Sequence, residues 1–416
     1  MARAAPERKG TPMPQLKKTD KFDGVSYEVR GPLLDEAMHM EAAGEKVLKL
    51  NIGNPAPFGF RTNENFVQTM AAQLPDTQGY SDSKGMPAAR EAIVAYAKGK
   101  GIEGAGVERA YTGNGVSELI NVVLTSLLDR GDEVLIPAPD YPLWTATTRL
   151  VGGVPVHYIC DEQANWYPDI ADIRAKVTPR TKALLVINPN NPTGSNYPKE
   201  VLEELVAIAR ENDLVILADE IYDRLVFDDK QHVSIASLAP DCLCITFNGL
   251  SKSHMMCGYR VGWMVLSGDM SDAGGFIEGL DMMTSMRLCS NTPGQAIVPL
   301  ALSEWKGMQH YIEPGGRVLE QRNCVYEGLA AIDGISVVKP DAAFYIFPKL
   351  DVKKFNITSD EQFAADLLHD KHILITRGMG FSWPNPDHFR IVFLPSTDVL
   401  QECMDGLADF LSYYRQ

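Results

Sequence analysis

The sequence predicts an α/β protein: a large domain with a mostly parallel seven-stranded sheet covered by helices, plus a smaller α+β domain. Three observations predict it. Between about residues 108 and 266, short apolar runs alternate with stretches of helical spacing. Those runs are apolar throughout, as strands buried on both faces of a sheet are. Beyond residue 314 the rhythm changes to one long helical stretch followed by shorter runs.

The elements follow in order. A first strand reaches Thr112, and Thr112-Gly113-Asn114-Gly115-Val116-Ser117-Glu118 joins it to a helix over 116–128. Six further strands are expected at 134–137, 154–159, 183–187, 214–218, 245–247 and 261–266. A helix over 199–212 carries apolar residues at Val201, Leu202, Leu205, Val206 and Ile208. Pro314-Gly315-Gly316 precedes or interrupts a long helical region up to about Ala331, and strands are expected at 335–338, 343–347, 373–375 and 389–393. The domain plan is a disordered tail over 1–20, a segment over 21–60 joining the small domain, a large domain over 61–310 and the small domain over 311–416.

Composition narrows the function. The 416 residues are 45% hydrophobic and 22% charged, ordinary for a globular protein, and the net charge of −15 argues against a nucleic-acid binder. No apolar run is long enough to span a bilayer, and residues 1–20 lack the apolar core of a secretion signal. The seven cysteines are irregularly spaced, with no C-x-x-C pair, which reads as reduced thiols of a cytoplasmic protein with no metal site.

The chemistry concentrates after the strands. Lys252 lies eight residues before Arg260 in Ser251-Lys252-Ser253-His254-Met255-Met256-Cys257-Gly258-Tyr259-Arg260. Asp219 ends an apolar run, with Tyr222 three residues on, and Asn191 stands in the turn Asn190-Asn191-Pro192-Thr193-Gly194. Ligands of such sheets sit beyond the carboxyl ends of the strands. A lysine amine, a carboxylate for a ring nitrogen and an arginine for a phosphate are the parts that hold pyridoxal phosphate (PLP). Tyr222 and the Asn191 amide can meet its phenolic oxygen. Small residues before the 116–128 helix suit a phosphate at a helix N-terminus, where Ser117 adds a hydroxyl. Tyr141, in Pro139-Asp140-Tyr141-Pro142, can stack on a ring. Arg390, inside the apolar strand 389–393, needs a partner for a costly buried charge, and a carboxylate matches its fork. Gly53, in Asn51-Ile52-Gly53-Asn54-Pro55, permits close backbone approach. Each of these features alone also reads as a turn, a packed aromatic or an internal ion pair; the ordered set is what specifies.

On these residues the chain resembles the class I, fold-type I PLP-dependent aminotransferases from about Tyr27 to its C-terminus. It looks nearest to the bacterial glutamate–pyruvate (alanine) group, through Tyr-Glu-Val-Arg-Gly-Pro at 27–32, the stretch at 50–60, Asn-Gly-Leu-Ser-Lys at 248–252, Pro-Asp-Tyr-Pro-Leu-Trp at 139–144 and Met-Arg-Leu-Cys at 286–289. The resemblance implies amino acids and 2-oxo acids as substrates, and a homodimer with shared sites. It also implies site roles. Lys252 carries the cofactor, Asp219 meets its ring nitrogen, and Asn191 and Tyr222 meet its oxygen. Arg260, Ser117 and the Val116 amide hold phosphate, Tyr141 stacks, and Tyr80 reaches the phosphate of the neighbouring subunit. Gly53, Asn191 and Arg390 bind the substrate α-carboxylate, under a segment carrying Tyr27 and Arg30. The implied reaction joins alanine and 2-oxoglutarate to pyruvate and glutamate. The alternatives are a transaminase for other neutral or aromatic amino acids, a PLP-dependent lyase, or a non-catalytic PLP-sensing module. One departure stands out: many relatives have serine where this chain has Gly249, and Ser251 is the expected substitute for its phosphate contact. Arg287 does not match the spacing of the arginine that reads a distal carboxylate in the aspartate-specific branch, and is left unassigned.

Overall fold

The computed structural model describes residues 16–25, 27, 31–304 and 306–416. Arg30 and most of the expected N-terminal tail lie outside the described residues.

The chain enters through helix α1 (Pro32–Ala42) and the short strand β1 (Leu48–Lys49), then α2 (Glu64–Gln73) and α3 (Pro87–Gly99). The central alternation follows: β2 (Ala110–Asn114), α4 (Val116–Leu127), β3 (Glu133–Ala138), α5 (Pro142–Leu150), β4 (Val154–Asp161), β5 (Tyr167–Pro168), α6 (Ile170–Lys176), β6 (Thr181–Ile187), α7 (Lys199–Glu211), β7 (Val215–Asp219), β8 (Cys244–Gly249) and β9 (Val261–Ser267). These strands form one eight-stranded sheet in the order β2-β9-β8-β7-β6-β3-β4-β5. The five strands β8-β7-β6-β3-β4 run parallel, while β9 is antiparallel to both its neighbours. Seven of the eight were expected; the eighth, β5, has two residues and pairs antiparallel with the end of β4.

The central strands are buried along nearly their whole length, as Glu133–Ala138 and Val261–Ser267 show, while β4 near the sheet edge is only partly covered. Their two faces belong to two apolar cores. One holds Leu135, Leu184, Val186, Ile216 and Ala218, and the other Val134, Ala183, Leu185, Leu217 and Phe247. Alternate residues of one strand thus feed opposite cores, which is the period-2 geometry of a doubly covered sheet.

Helices α8 (Gly274–Met286), α9 (Thr292–Ala296), α10 (Val298–Ser303) and α11 (Lys306–Gln309) lead to α12 (Arg317–Ala330). Gly316 stands at the α12 N-cap, so the long helical region begins after the Pro-Gly-Gly and not across it. The next two strands are shorter than expected, β10 (Ile335–Ser336) and β11 (Tyr345–Ile346), and β12 (Lys349–Leu350) was not expected. After α13 (Asp360–Lys371) come β13 (Ile373–Leu374), β14 (Thr376–Arg377), β15 (Phe389–Val392) and α14 (Thr397–Tyr413). They build a three-stranded sheet β11-β15-β14, a pair β10-β12 and a pair β1-β13. The last pair ties residues 48–49 to 373–374. Residue 50 extends that tie, since the Val392 amide donates to its carbonyl at 2.9 Å. The loop after residue 50 is thereby delivered beside β15, which carries Arg390.

Candidate active site

The carboxyl ends of β6, β7 and β8 open toward the loop 51–54 and the strand of Arg390. Asp219, the last residue of β7, is 3% exposed. The indole N–H of Trp144 donates to its Oδ2 at 3.0 Å. Among the described residues no cation pairs with it. Burial pushes its carboxyl up to about 6, only partly offset by the bonds from Trp144 and the Ile221 amide.

Arg390 is 2% exposed. Its Nη1 donates to Asn191 Oδ1 at 3.0 Å and its Nη2 to the Asn51 carbonyl, while Nε has no partner. The Arg390 Cζ lies 4.6 Å from the ring centroids of both Tyr345 and Phe381. Among the described residues no carboxylate is within ion-pair distance, and burial pulls the guanidinium below its ordinary value. The alternative of an internal salt bridge is therefore not what the fold builds.

Lys252 Nζ donates to the Gly53 carbonyl at 2.6 Å. The Tyr222 and Tyr345 hydroxyls are 2.8 Å apart. A Cβ on Gly53 would lie 2.2 Å from the Tyr345 hydroxyl, so only glycine fits there. Tyr141 stands at the start of α5, its hydroxyl 2.9 Å from that of Tyr27. Tyr141 also feels Tyr345 and Asp219, and Tyr222 feels both Arg390 and Asp219, so these groups share one crevice.

The second cluster surrounds the N-terminus of α4, whose first amides have no intrahelical acceptor. Gly115 has φ +84, and a Cβ there would sit 2.3 Å from Arg260 Nη2. Arg260, itself at φ +55, donates from Nη2 to Ser117 Oγ at 3.2 Å and from Nη1 to the Cys257 carbonyl at 2.8 Å. A non-glycine residue held in the left-handed region marks a position that its surroundings over-determine. Val116 and Ser117 open the helix directly after the Gly115 cradle. Cys257 is half-buried and donates to the Ser251 carbonyl at 2.8 Å, which links this cluster to the lysine loop.

Gly249 has a steric reason. A Cβ there would meet the Val261 carbonyl at 2.6 Å, so a serine would need the β8–β9 pair to shift. Arg287 is braced inward: Nη1 lies 2.6 Å from Glu118 Oε2, and Nη2 donates to the Ser83 carbonyl at 2.7 Å. Glu118 Oε2 also accepts the Asn114 amide at 2.7 Å. Arg287 thus steadies the approach to α4. Tyr80 is 80% exposed, apart from the crevice of its own chain.

Two residues that sequence reasoning missed as site members are Tyr345 and Trp144. Tyr345 was read only as strand and Trp144 only within a motif. A third cluster, Glu220, Asp223 and His232, has the spacing of metal ligands. Both of its carboxylates already pair with Lys100, whose Nζ bonds Glu220 and lies 2.7 Å from Asp223 Oδ2.

The groups fit PLP on two observations: a buried carboxylate without a cation, and a helix N-terminus whose cradle only glycine permits beside Arg260. Comparison with known proteins agrees. The model of the family "Aminotransferase class I and II" matches residues 45–407. The chain is 55% identical over 399 residues to the glutamate-pyruvate aminotransferase AlaA of Haemophilus influenzae, covering 96% of this chain and 99% of that one. It is 51% identical to the alanine aminotransferase of Mycobacterium tuberculosis, covering 95% and 92%. The crystal structure of an aminotransferase from Escherichia coli superposes with a TM-score of 0.95 at 52% identity, covering 96% of this chain and 99% of that one.

Proposed function

The chain belongs to the class I and II aminotransferases, which use pyridoxal phosphate, and from that premise we propose that it moves an amino group between L-alanine and 2-oxoglutarate, giving pyruvate and L-glutamate. One observation carries the site reading: Asp219 and Arg390 are opposite buried charges in one crevice, neither with an ionic partner among the described residues. A bare buried charge is costly. A ligand pair bearing a ring N–H cation and a carboxylate satisfies both. The choice of alanine rests on relatives named for it at 51–55% identity over nearly the full length. Other neutral or aromatic amino donors, or a lyase reaction, use the same residues and are the alternatives.

PLP supplies a covalent imine link and an electron sink for the charge that develops at the substrate α-carbon. Lys252 Nζ would hold the cofactor, and as a free amine it would be the base that takes the substrate α-proton. Asp219 would keep the ring nitrogen protonated, its carboxylate fixed by the Trp144 indole N–H. Tyr222 and Asn191 would serve the phenolic oxygen as hydrogen-bond donors, and Tyr141 would supply an aromatic face for the ring. Val116, Ser117, Ser251 and Arg260 hold the phosphate. Arg390, Asn191 and Gly53 would orient the substrate α-carboxylate; Tyr27 reaches the site through Tyr141, and Arg30, outside the described residues, is assigned to substrate binding by the resemblance alone.

A homodimer follows from this reading. The loop of Tyr80 sits against the end of α8, where the Ser83 carbonyl accepts from Arg287. Tyr80, Met282, Met286 and Leu288 are all exposed there, a surface that a second copy would cover. Residues 61–310 are the large PLP domain, with 21–60 and 311–416 forming the small one. The seven cysteines are unpaired, which supports a cytoplasmic setting. Among the described residues no helix is long and apolar enough to cross a membrane.

The test of the site is Lys252→Ala. It should abolish steady transamination and the visible absorbance of the lysine-linked cofactor. Near-normal turnover without added amine would overturn the assignment.

A further inference from the structure

Tyr345 stands where two functional side chains and the Gly53 backbone meet. It is 2% exposed and sits on β11, paired with the strand of Arg390 through the Tyr345–Val392 register. Its hydroxyl is 2.8 Å from that of Tyr222. Its ring centroid is 4.6 Å from Arg390 Cζ. Its oxygen faces the Gly53 α-carbon, whose carbonyl accepts from Lys252.

A phenol has one proton and accepts through its lone pairs. Two hydroxyls that share one hydrogen bond therefore keep one proton for a third atom. The direction in which a Cβ would leave Gly53 carries only a Cα hydrogen, which accepts nothing. That hydrogen can meet a lone pair of the Tyr345 oxygen in a weak C–H···O contact. With a lone pair toward Gly53, the Tyr345 proton turns to Tyr222, its one hydrogen-bond partner among the described residues.

We propose that Tyr345 is a positioning residue that donates its proton to Tyr222 and so leaves the Tyr222 proton for the phenolic oxygen of the cofactor. This rests on the reading of Tyr222 above. A donor behind a donor polarises it and strengthens the forward bond. The same ring lies against Arg390, so one side chain adjoins both the carboxylate grip and the cofactor contact. It also gives Gly53 its reason: any side chain there would displace the hydroxyl.

The experiment uses the PLP-loaded protein as wild type, Tyr345→Phe, Tyr222→Phe and the double variant. The visible absorbance of the bound cofactor is titrated against pH, and the KM for alanine is measured. Tyr345→Phe keeps the ring and should hold that KM within about twofold while moving the absorbance midpoint upward by a few tenths of a pH unit, on the order of what one polarising bond supplies. In the Tyr222→Phe background it should move nothing further. A downward shift, no shift, or a shift that persists without the Tyr222 hydroxyl overturns the proposal. If Tyr222→Phe itself leaves the midpoint in place while PLP binds normally, the Tyr222 reading fails and this inference with it.

Discussion

Asp219→Asn separates what the buried carboxylate costs from what it does. Asparagine keeps the shape, and its Oδ1 can still accept the Trp144 indole N–H that now lies 3.0 Å away. Burial raises the Asp219 carboxyl from 3.8 to about 6. At about 1.4 kcal/mol per unit, ionising it in the cofactor-free protein costs about 3 kcal/mol. The sign follows from linkage. A raised carboxyl pKa means the folded state holds this proton more tightly than the unfolded chain. That contribution is fully present below pH ~4 and is lost as pH rises through ~6. The cofactor-free variant has no such window. It should match the wild type near pH 4 and exceed its stability by up to ~3 kcal/mol at pH 8. Function should move the other way, because the ring nitrogen loses its counter-charge. The proton-transfer step should fall by orders of magnitude, with a smaller loss of PLP affinity. Urea midpoints of the cofactor-free proteins between pH 4 and 8, with single-turnover kinetics of the loaded ones, measure both. An identical pH profile in the two proteins, or an undiminished chemical step, would refute the reasoning.

Other predictions follow from the same geometry. Arg390→Lys keeps the charge but loses the planar fork that now reaches Asn191 and Asn51; both half-reactions should lose at least tenfold in kcat/KM, and a loss confined to one substrate pair would contradict a shared α-carboxylate grip. Mixing inactive Lys252→Ala chains with chains inactivated at Tyr80 should restore part of the activity, since one hybrid site has both native residues; verified hybrid dimers with none would remove Tyr80 from the partner's site. Arg30→Ala should raise KM for glutamate and 2-oxoglutarate far more than for alanine and pyruvate, because a permanently buried cation would sit unpaired against a methyl group; equal losses would exclude Arg30 from reading the distal carboxylate.

The large sheet was legible because its strands carry continuous apolar runs. Val134 to Pro137 and Leu184 to Ile187 have no polar interruption, and the helix over Lys199–Glu211 has clear 3.6-residue spacing. Strand β5 was not legible: Tyr167–Pro168 is too short for any period. The expected strands at 343–347 and 373–375 are cut to two residues each, since their apolar content serves packing more than pairing. At the site, the residues that follow strands could be read from local order. Tyr345 could not, because its role arises from β11 pairing with β15 and from the approach of residue 53, nearly 300 positions earlier. Trp144 meets Asp219 across 75 residues, and its N–H is visible as a partner only once α5 and β7 are side by side. The reason for Gly249 is likewise tertiary, the Val261 carbonyl across the β8–β9 pair.

The central claim is tested most directly by supplying the purified PLP-loaded protein with L-alanine and 2-oxoglutarate, beside a panel of neutral and aromatic donors. Pyruvate and glutamate are then quantified together. The account predicts equimolar formation of both, at a kcat/KM for alanine above that for the other donors, and no more than one equivalent of 2-oxo acid per bound PLP without an acceptor. Turnover of other donors with alanine left untouched would contradict the alanine assignment. Repeated turnover without any acceptor, beyond one equivalent of 2-oxo acid per bound PLP, would contradict transamination itself.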